Sequence, residues 1–303
     1  MTRRGWLLFA SVGVLWGLPY LLIRVSVREL SPPTLVCVRT GLGALLLLPF
    51  ALRRGTLATL RAHARPILAF AVLEVAGPWL LLSDAERRLS SGLTGLLVAA
   101  VPLVAAVASR LLGEDRLSRG RLLGLGVGLV GVAALLGLDV RGGDLASAGE
   151  IALVVLGYGT APLIVSRQLG GVPSLQVITV SLGLTAIGYA PIAATHLPPR
   201  WPAASVTVSV VMLAVLCTAA TFVLFFALIA EVGPNRALVV TFVNPAVAVL
   251  LGIVVLGEPL TGGTLVGFPL VLAGCWLATR RSAAAPPAAP YADVRRAATV
   301  SGR

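Results

Sequence analysis

Hydrophobic residues run along this chain in long blocks, not in the alternating or one-faced patterns of soluble elements. About 20 apolar residues at 1.5 Å each cross a hydrocarbon core of roughly 30 Å. That ruler predicts ten helical spans, at 5–23, 33–52, 66–83, 91–110, 120–138, 149–166, 173–195, 206–230, 235–256 and 262–279. The pattern therefore predicts an all-α integral membrane protein. Pro33, Pro66 and Pro173 fall in first turns, where a missing N–H costs little. Ser118 and Thr261, just before the fifth and tenth spans, have the short side chains that cap helix N-termini.

The apolar pattern is written twice. Trp16-Gly17, Gly41 and Pro49 recur as Tyr158-Gly159, Gly183 and Pro191 at a shift of 142. Pro102, Gly113-Glu114 and Gly124 recur as Pro245, Gly257-Glu258 and Gly267 at shifts of 143 or 144. Each copy holds five spans, and five is odd, so two copies in series must lie in opposite orientations. The expected organisation is a first five-helix repeat over 1–138, a linker loop over 139–148, an inverted repeat over 149–279 and a disordered tail over 280–303. Inverted repeats suit proteins that expose one central site to each side of the membrane in turn.

Charge sharpens that picture. Of 303 residues, 57% are hydrophobic and 12% charged, and the mean hydropathy is +0.97. A soluble domain carries about 25% charged residues, so this chain lacks the polar surface to be one. With the N-terminus in the cytoplasm, the inside loops and tail collect 17 arginines and the outside loops six. The positive-inside rule then puts both termini in the cytoplasm of a cell inner (plasma) membrane. Inside-facing flanks of the first copy hold ten arginines, and the matching stretches of the second hold only Arg141 and Arg200. The copies kept their apolar pattern while their charge was rearranged for inversion.

The net charge of +12 invites a nucleic-acid reading. The arginines are scattered through short loops without a basic groove, so no nucleic-acid partner is expected. Cys37, Cys217 and Cys275 lie inside apolar runs without metal-type spacing, which argues against a disulfide frame or a metal site. Met1-Thr2-Arg3-Arg4 precedes a run long enough to span with no convincing cleavage site after it, so the first helix is expected to stay uncleaved. In the tail, Arg295-Arg296-Ala297-Ala298-Thr299 reads as a solvated flank in preference to a phosphorylation site.

At this point the chain resembles the EamA-type transporters of the drug/metabolite transporter superfamily, over nearly all of residues 5–279. The residues that carry the resemblance are Leu15-Trp16-Gly17, Arg39, Pro102 with Leu112-Gly113-Glu114, Pro245, and Leu256-Gly257-Glu258-Pro259-Leu260-Thr261 with Gly267 and Gly274 behind. Each motif alone is weak, but their order, spacing and duplication are specific. The resemblance implies a ten-helix carrier of two inverted halves that exports amino acids, related metabolites or drugs. It also implies a central pocket lined by helices one, three and four and by six, eight and nine. The second copy departs from the first with Tyr158 for Trp16 and Ser181 for Arg39, and Glu74 lies outside the general pattern, so no family role transfers to it.

Glu74 is the foremost candidate site. It lies eight residues into span three, roughly 12 Å from the span's cytoplasmic end. A charge at that depth costs about 2.5–3.5 kcal/mol on insertion scales, so it faces a cavity or a partner. It reads either as a proton-coupling site that also holds a substrate cation, or as a protonated strut between helices. Arg39, roughly 9 Å below the outer face, has three readings: snorkelling outward, pairing with Glu74, or binding a substrate carboxylate. Trp16, Tyr20, Trp79 and Tyr158 are candidate substrate-binding aromatics, or ordinary packing. Phe222, Phe225 and Phe226 read as lipid-facing or packing residues. Asn244 joins the substrate-binding candidates because it precedes Pro245, whose missing N–H frees a carbonyl, and Pro102 is the matching kink.

Glu114 and Glu258 are expected to accept backbone N–H groups at the start of the following helix, with a gating contact as the alternative. Gly126-Val127-Gly128-Leu129-Val130-Gly131 matches a dinucleotide fingerprint as a string, but it lies in a span with no strand before it. Gly124 and Gly128 read instead as a close helix-packing face. No cofactor, metal or enzymatic activity is expected. The expected partners are a small-molecule substrate and membrane lipids, with a monomer as the default and a homodimer as the alternative. Secondary transport leads, a flippase for a lipid-linked intermediate is the alternative within transport, and a membrane enzyme or scaffold ranks behind both.

Overall fold

The computed structural model describes residues 2–52, 57–112, 119–139, 144–233 and 237–279. Nine of the described helices are long and apolar enough to cross a membrane: α1 (Arg3–Ser26), α2 (Pro32–Leu52), α3 (Ala64–Ala85), α4 (Ser91–Leu111), α5 (Arg119–Leu138), α6 (Leu145–Gln168), α7 (Ser174–Thr195), α8 (Ala204–Val232) and α9 (Val239–Leu256). A further apolar helix, α10 (Gly262–Thr279), closes the described chain. A short helix, Leu57–Ala62, precedes α3, and there is no strand among the described residues.

Hydropathy placed these elements to within a few residues, and a polar cap explains the difference at α1. α1 begins at Arg3, not at residue 5, because Thr2 Oγ1 accepts the Gly5 N–H at 2.9 Å. α6 begins at Leu145, so the second part of the expected 139–148 linker is already helical. Thr261 caps α10 as expected, accepting the Thr264 N–H at 3.1 Å. Ser118, Glu114 and the tail over 280–303 lie outside the described residues.

Lipid offers no hydrophobic reward for joining apolar helices, so association depends on close packing by small residues. α5 packs along α10 and α2 along α7, while α1 meets α8 and α9, and α6 meets α3 and α4. A Cβ added at Gly17 of α1 would lie 2.6 Å from Val247 Cγ1 of α9, and one added at Gly159 of α6 would lie 2.6 Å from Val104 Cγ1 of α4. These two contacts stand 142 and 143 residues apart in sequence. In the α2–α7 pair, Gly41 faces Ala186 and Gly183 faces Ala44.

Four helices are interrupted, also at matching places. α3 opens into a π-turn at Ala71–Ala76, and α8 does the same at Val215–Ala220. Proline explains the first. Pro78 offers no N–H to the Glu74 carbonyl and its ring crowds that carbonyl, so the turn before it widens. In α8, where no proline follows, the Thr218 and Thr221 hydroxyls donate to the Leu213 and Leu216 carbonyls at 2.8 and 2.6 Å. α4 breaks between Val98 and Val101, just before Pro102. α9 starts as a 3-10 turn, Leu238–Phe242, and becomes α-helical only at Asn244-Pro245.

Candidate functional site

Arg39 lies at the centre of the bundle and is 5% exposed. Its guanidinium carbon stands 3.6 Å from the Trp79 ring centroid of α3, and its Nε donates to Thr218 Oγ1 of α8 at 3.1 Å. It therefore does not snorkel to the outer face. A stacked, desolvated guanidinium gains about 2 kcal/mol from the ring, which offsets part of the cost of burying the charge. Tyr20 of α1, Tyr158 of α6 and Cys217 of α8 also lie within electrostatic reach of Arg39.

Glu74 occupies the π-turn of α3, and its Oε2 is enclosed without a hydrogen-bond partner. No ion pair joins it to Arg39 among the described residues, so the pairing weighed from the sequence does not form. Tyr158 lies within electrostatic reach of both. The site thus presents a cation stacked on an aromatic ring, a carboxyl with an unused oxygen, and a tyrosine near both. Such a set can hold a molecule with opposite charges at its two ends.

The other predicted residues divide. Trp16 packs on Phe225 with ring centroids 4.5 Å apart and on Phe222 at 6.2 Å, so these phenylalanines pack against α1. Asn244, with its amide nitrogen turned toward the neighbouring oxygens, donates to the Gly13 and Val240 carbonyls at 3.2 and 3.0 Å. It ties α9 to α1 across the kink that Pro245 creates. The described surface depressions lie away from Arg39. One of about 200 Å³, lined by Arg88, Ser90, Asp144, Glu258 and Thr261 among others, opens at the end of the bundle predicted to face outward.

Glu258 corrects an expectation. It does not cap the following helix, α10, which Thr261 caps. Its carboxylate crosses to α4, where Oε1 accepts the Ser91 N–H at 2.8 Å and Oε2 accepts the Ser91 hydroxyl and the Gly92 N–H, both at 3.0 Å. Gly257, at φ +68°, turns the chain in the left-handed region, and a side chain at Gly252 would occupy the space the carboxylate fills. Glu114, its sequence counterpart, lies outside the described residues. Further links close the same end. The Ala203 N–H, at the start of α8, donates to Glu29 at 2.9 Å, and the Arg24 guanidinium donates to the Glu86 carbonyl.

This arrangement can be set against known proteins. The model of the EamA-like transporter family matches residues 3–137 and 149–280. The chain belongs to the EamA-like transporter family. Its EamA relatives include the "Uncharacterized inner membrane transporter YedA" of Escherichia coli K12, 29% identical over 82% of this chain and 81% of that one. An "Uncharacterized transporter" of Archaeoglobus fulgidus is 23% identical over 91% of this chain and 99% of its own length. The "Probable amino-acid metabolite efflux pump" of Salmonella typhimurium is 24% identical over 91% of this chain and 95% of that one. A solved crystal structure shares the fold with a TM-score of 0.65, at 22% identity, over 92% of this chain and 97% of that one. The chain is therefore a membrane transporter of this family.

Two residues of this EamA bundle escaped the sequence reading. Thr218 stands 144 residues after Glu74, at the matching place of the second π-turn, while the flanking sequence repeats run at 142 and 143, so the structure alone sets the two opposite each other. Glu86 read as part of an outside loop, yet it is fully buried. Its neighbour Asp84 turns the other way, toward Arg87 and Arg88. Residues two positions apart in a helical turn stand about 200° apart, so one acid faces outward when the other faces the core.

Proposed function

We propose that this chain is a secondary transporter that exports small amino-acid-like or amphipathic metabolites by alternating access. The observation that carries the reading is Arg39, stacked on Trp79 and buried at the centre of an apolar bundle, with Tyr158 within electrostatic reach of both it and Glu74, whose Oε2 is enclosed. Arg39 takes a substrate carboxylate and Glu74 takes a substrate ammonium group or a proton. Trp79, Tyr158, Tyr20 and Trp16 wall the pathway. The relative named as an amino-acid metabolite efflux pump supports this class of cargo.

Ten spans form two inverted repeats, 1–138 and 149–279, with both termini in the cytoplasm. Support comes from the arginine distribution, the paired family matches, and the matched π-turns, proline breaks and glycine contacts. Internal symmetry lets one chain complete the pathway, so the working unit is a monomer. Labelling of Arg200→Cys from the outside only is the expected topology result, and labelling from the cytoplasm alone would refute it.

The functional test starts by comparing metabolites released by cells with and without the protein. The enriched compound is then followed in proteoliposomes under an imposed pH gradient. Glu74→Gln should abolish gradient-driven movement at unchanged membrane abundance. Unchanged transport would remove Glu74 from coupling, and release of lipid-linked compounds alone would favour a flippase.

A further inference from the structure

Glu86 follows the last residue of α3 and is fully buried, and neither of its carboxyl oxygens has a hydrogen-bond partner. Its backbone, in contrast, is engaged. The N–H bonds the Leu82 carbonyl at 3.0 Å, and the carbonyl accepts the Arg24 guanidinium. Arg24 therefore donates to the peptide group and not to the acid beside it. The groups within electrostatic reach of the carboxyl are Arg24 and Tyr20 on α1, Arg39 on α2, and Glu258 on the turn between α9 and α10. A buried, unbonded carboxylate costs several kcal/mol, which a proton removes. Burial accordingly pushes this carboxyl well above the ordinary carboxylate range, against the pull of Arg24.

The second observation is the position of Glu258. Its carboxylate, within electrostatic reach of Glu86, fastens the α9–α10 turn to the start of α4, a link that any separation of the two would break. A neutral Glu86 leaves Glu258 free to serve the α4 N-terminus. An ionised one places a buried negative charge within electrostatic reach of the Glu258 side chain, opposed only in part by Arg24 and Arg39.

We infer that Glu86 is a proton-binding site that governs the Glu258 fastening at the predicted outer end of the bundle. When that end opens, Glu86 meets water and the neutral acid releases its proton to the outer solution. The carboxylate must take one proton back from that solution before the end can close over it. The closed conformation is favoured at low pH and loses its advantage as pH rises, because it binds the extra proton. Placing this switch in a transport cycle rests on the transport reading above.

The test needs no substrate, so its failure is separate from failure of that reading. The full-length protein in lipid bilayers is titrated from mildly acidic to mildly alkaline pH by infrared difference spectroscopy of its protonated carboxyl bands. In parallel, Ser90→Cys in a background free of native cysteines is labelled with a membrane-impermeant maleimide. A carboxyl band that titrates in the wild type, is lost in Glu86→Gln and persists in Glu74→Gln is the expected result. Because every thiol reacts faster as pH rises, rates are divided by those of an exposed reference, Arg200→Cys; the normalised rate should rise with pH in the parent and stay flat in Glu86→Gln. A band that survives Glu86→Gln, or a normalised labelling rate that ignores pH in the parent, overturns the inference. Should Glu86→Gln fail to insert, Glu86→Asp must shift the midpoint of the band, and an unmoved midpoint counts equally against it.

Discussion

Gly274→Val should give a protein that inserts poorly and melts well below the wild type. α10 crosses α5 so closely that a Cβ at Gly274 would press on the Gly128 backbone nitrogen and Cα, and would stand 2.7 Å from the Gly124 carbonyl oxygen. Side chains can rotate away from an intruder, but helix backbone cannot. The two helices must separate, and the contact extends to Gly131, where an added Cβ would lie 2.6 Å from the Val271 nitrogen. Overpacking of a tight core costs about 1–3 kcal/mol for small insertions, and a branched side chain against backbone falls at or above the upper end. Gly126 is the control, since nothing lies within 4 Å of its added Cβ. Gly126→Ala should match the wild type in detergent-solubilised melting and in the yield of monodisperse protein. Equal melting of Gly274→Val and wild type would mean that α5 and α10 do not pack this way.

Arg39→Lys should leave a folded bundle that has lost most of its transport. Lysine keeps the charge but has neither the planar face that lies on Trp79 nor the Nε donor that meets Thr218. Loss of about 2 kcal/mol of stacking corresponds to roughly thirtyfold in affinity for a ligand that needs the guanidinium in place. Export of the identified metabolite, at matched membrane abundance, should fall by about that factor. Thr218→Val should fall in the same direction, because it leaves a buried charged donor unpaired at about 1–3 kcal/mol. Trp79→Phe keeps a ring beneath the cation and should retain more activity than Trp79→Leu. Normal export by Arg39→Lys would show that the guanidinium is a strut and not part of the substrate site.

The boundaries of the helices were legible because a bilayer imposes a length, and apolar runs either meet it or fail. The proline breaks were legible too, since a missing N–H acts locally wherever the chain goes. Glu74 and Arg39 stood out as charges at depth, a signal of composition and position. The π-turn at Val215–Ala220 left no such mark, because it rests on threonine hydroxyls returning to carbonyls five residues back. The capping of α10 by Thr261 followed from short-range sequence. The service of Glu258 to α4, 167 residues away, did not.

By itself, then, the sequence determined the apolar helices and the two charges set deep within them, Glu74 and Arg39. Both follow from local rules: the thickness of the membrane and the price of moving charge into it. Which buried charge meets which partner was decided only in the tertiary structure. Arg39 and Glu74 remain apart, Arg39 settles on Trp79 and Thr218, and Glu86 turns inward while Asp84 turns out. Those choices depend on how helices distant in sequence are rotated and spaced, and packing sets both at glycine contacts where backbone meets backbone.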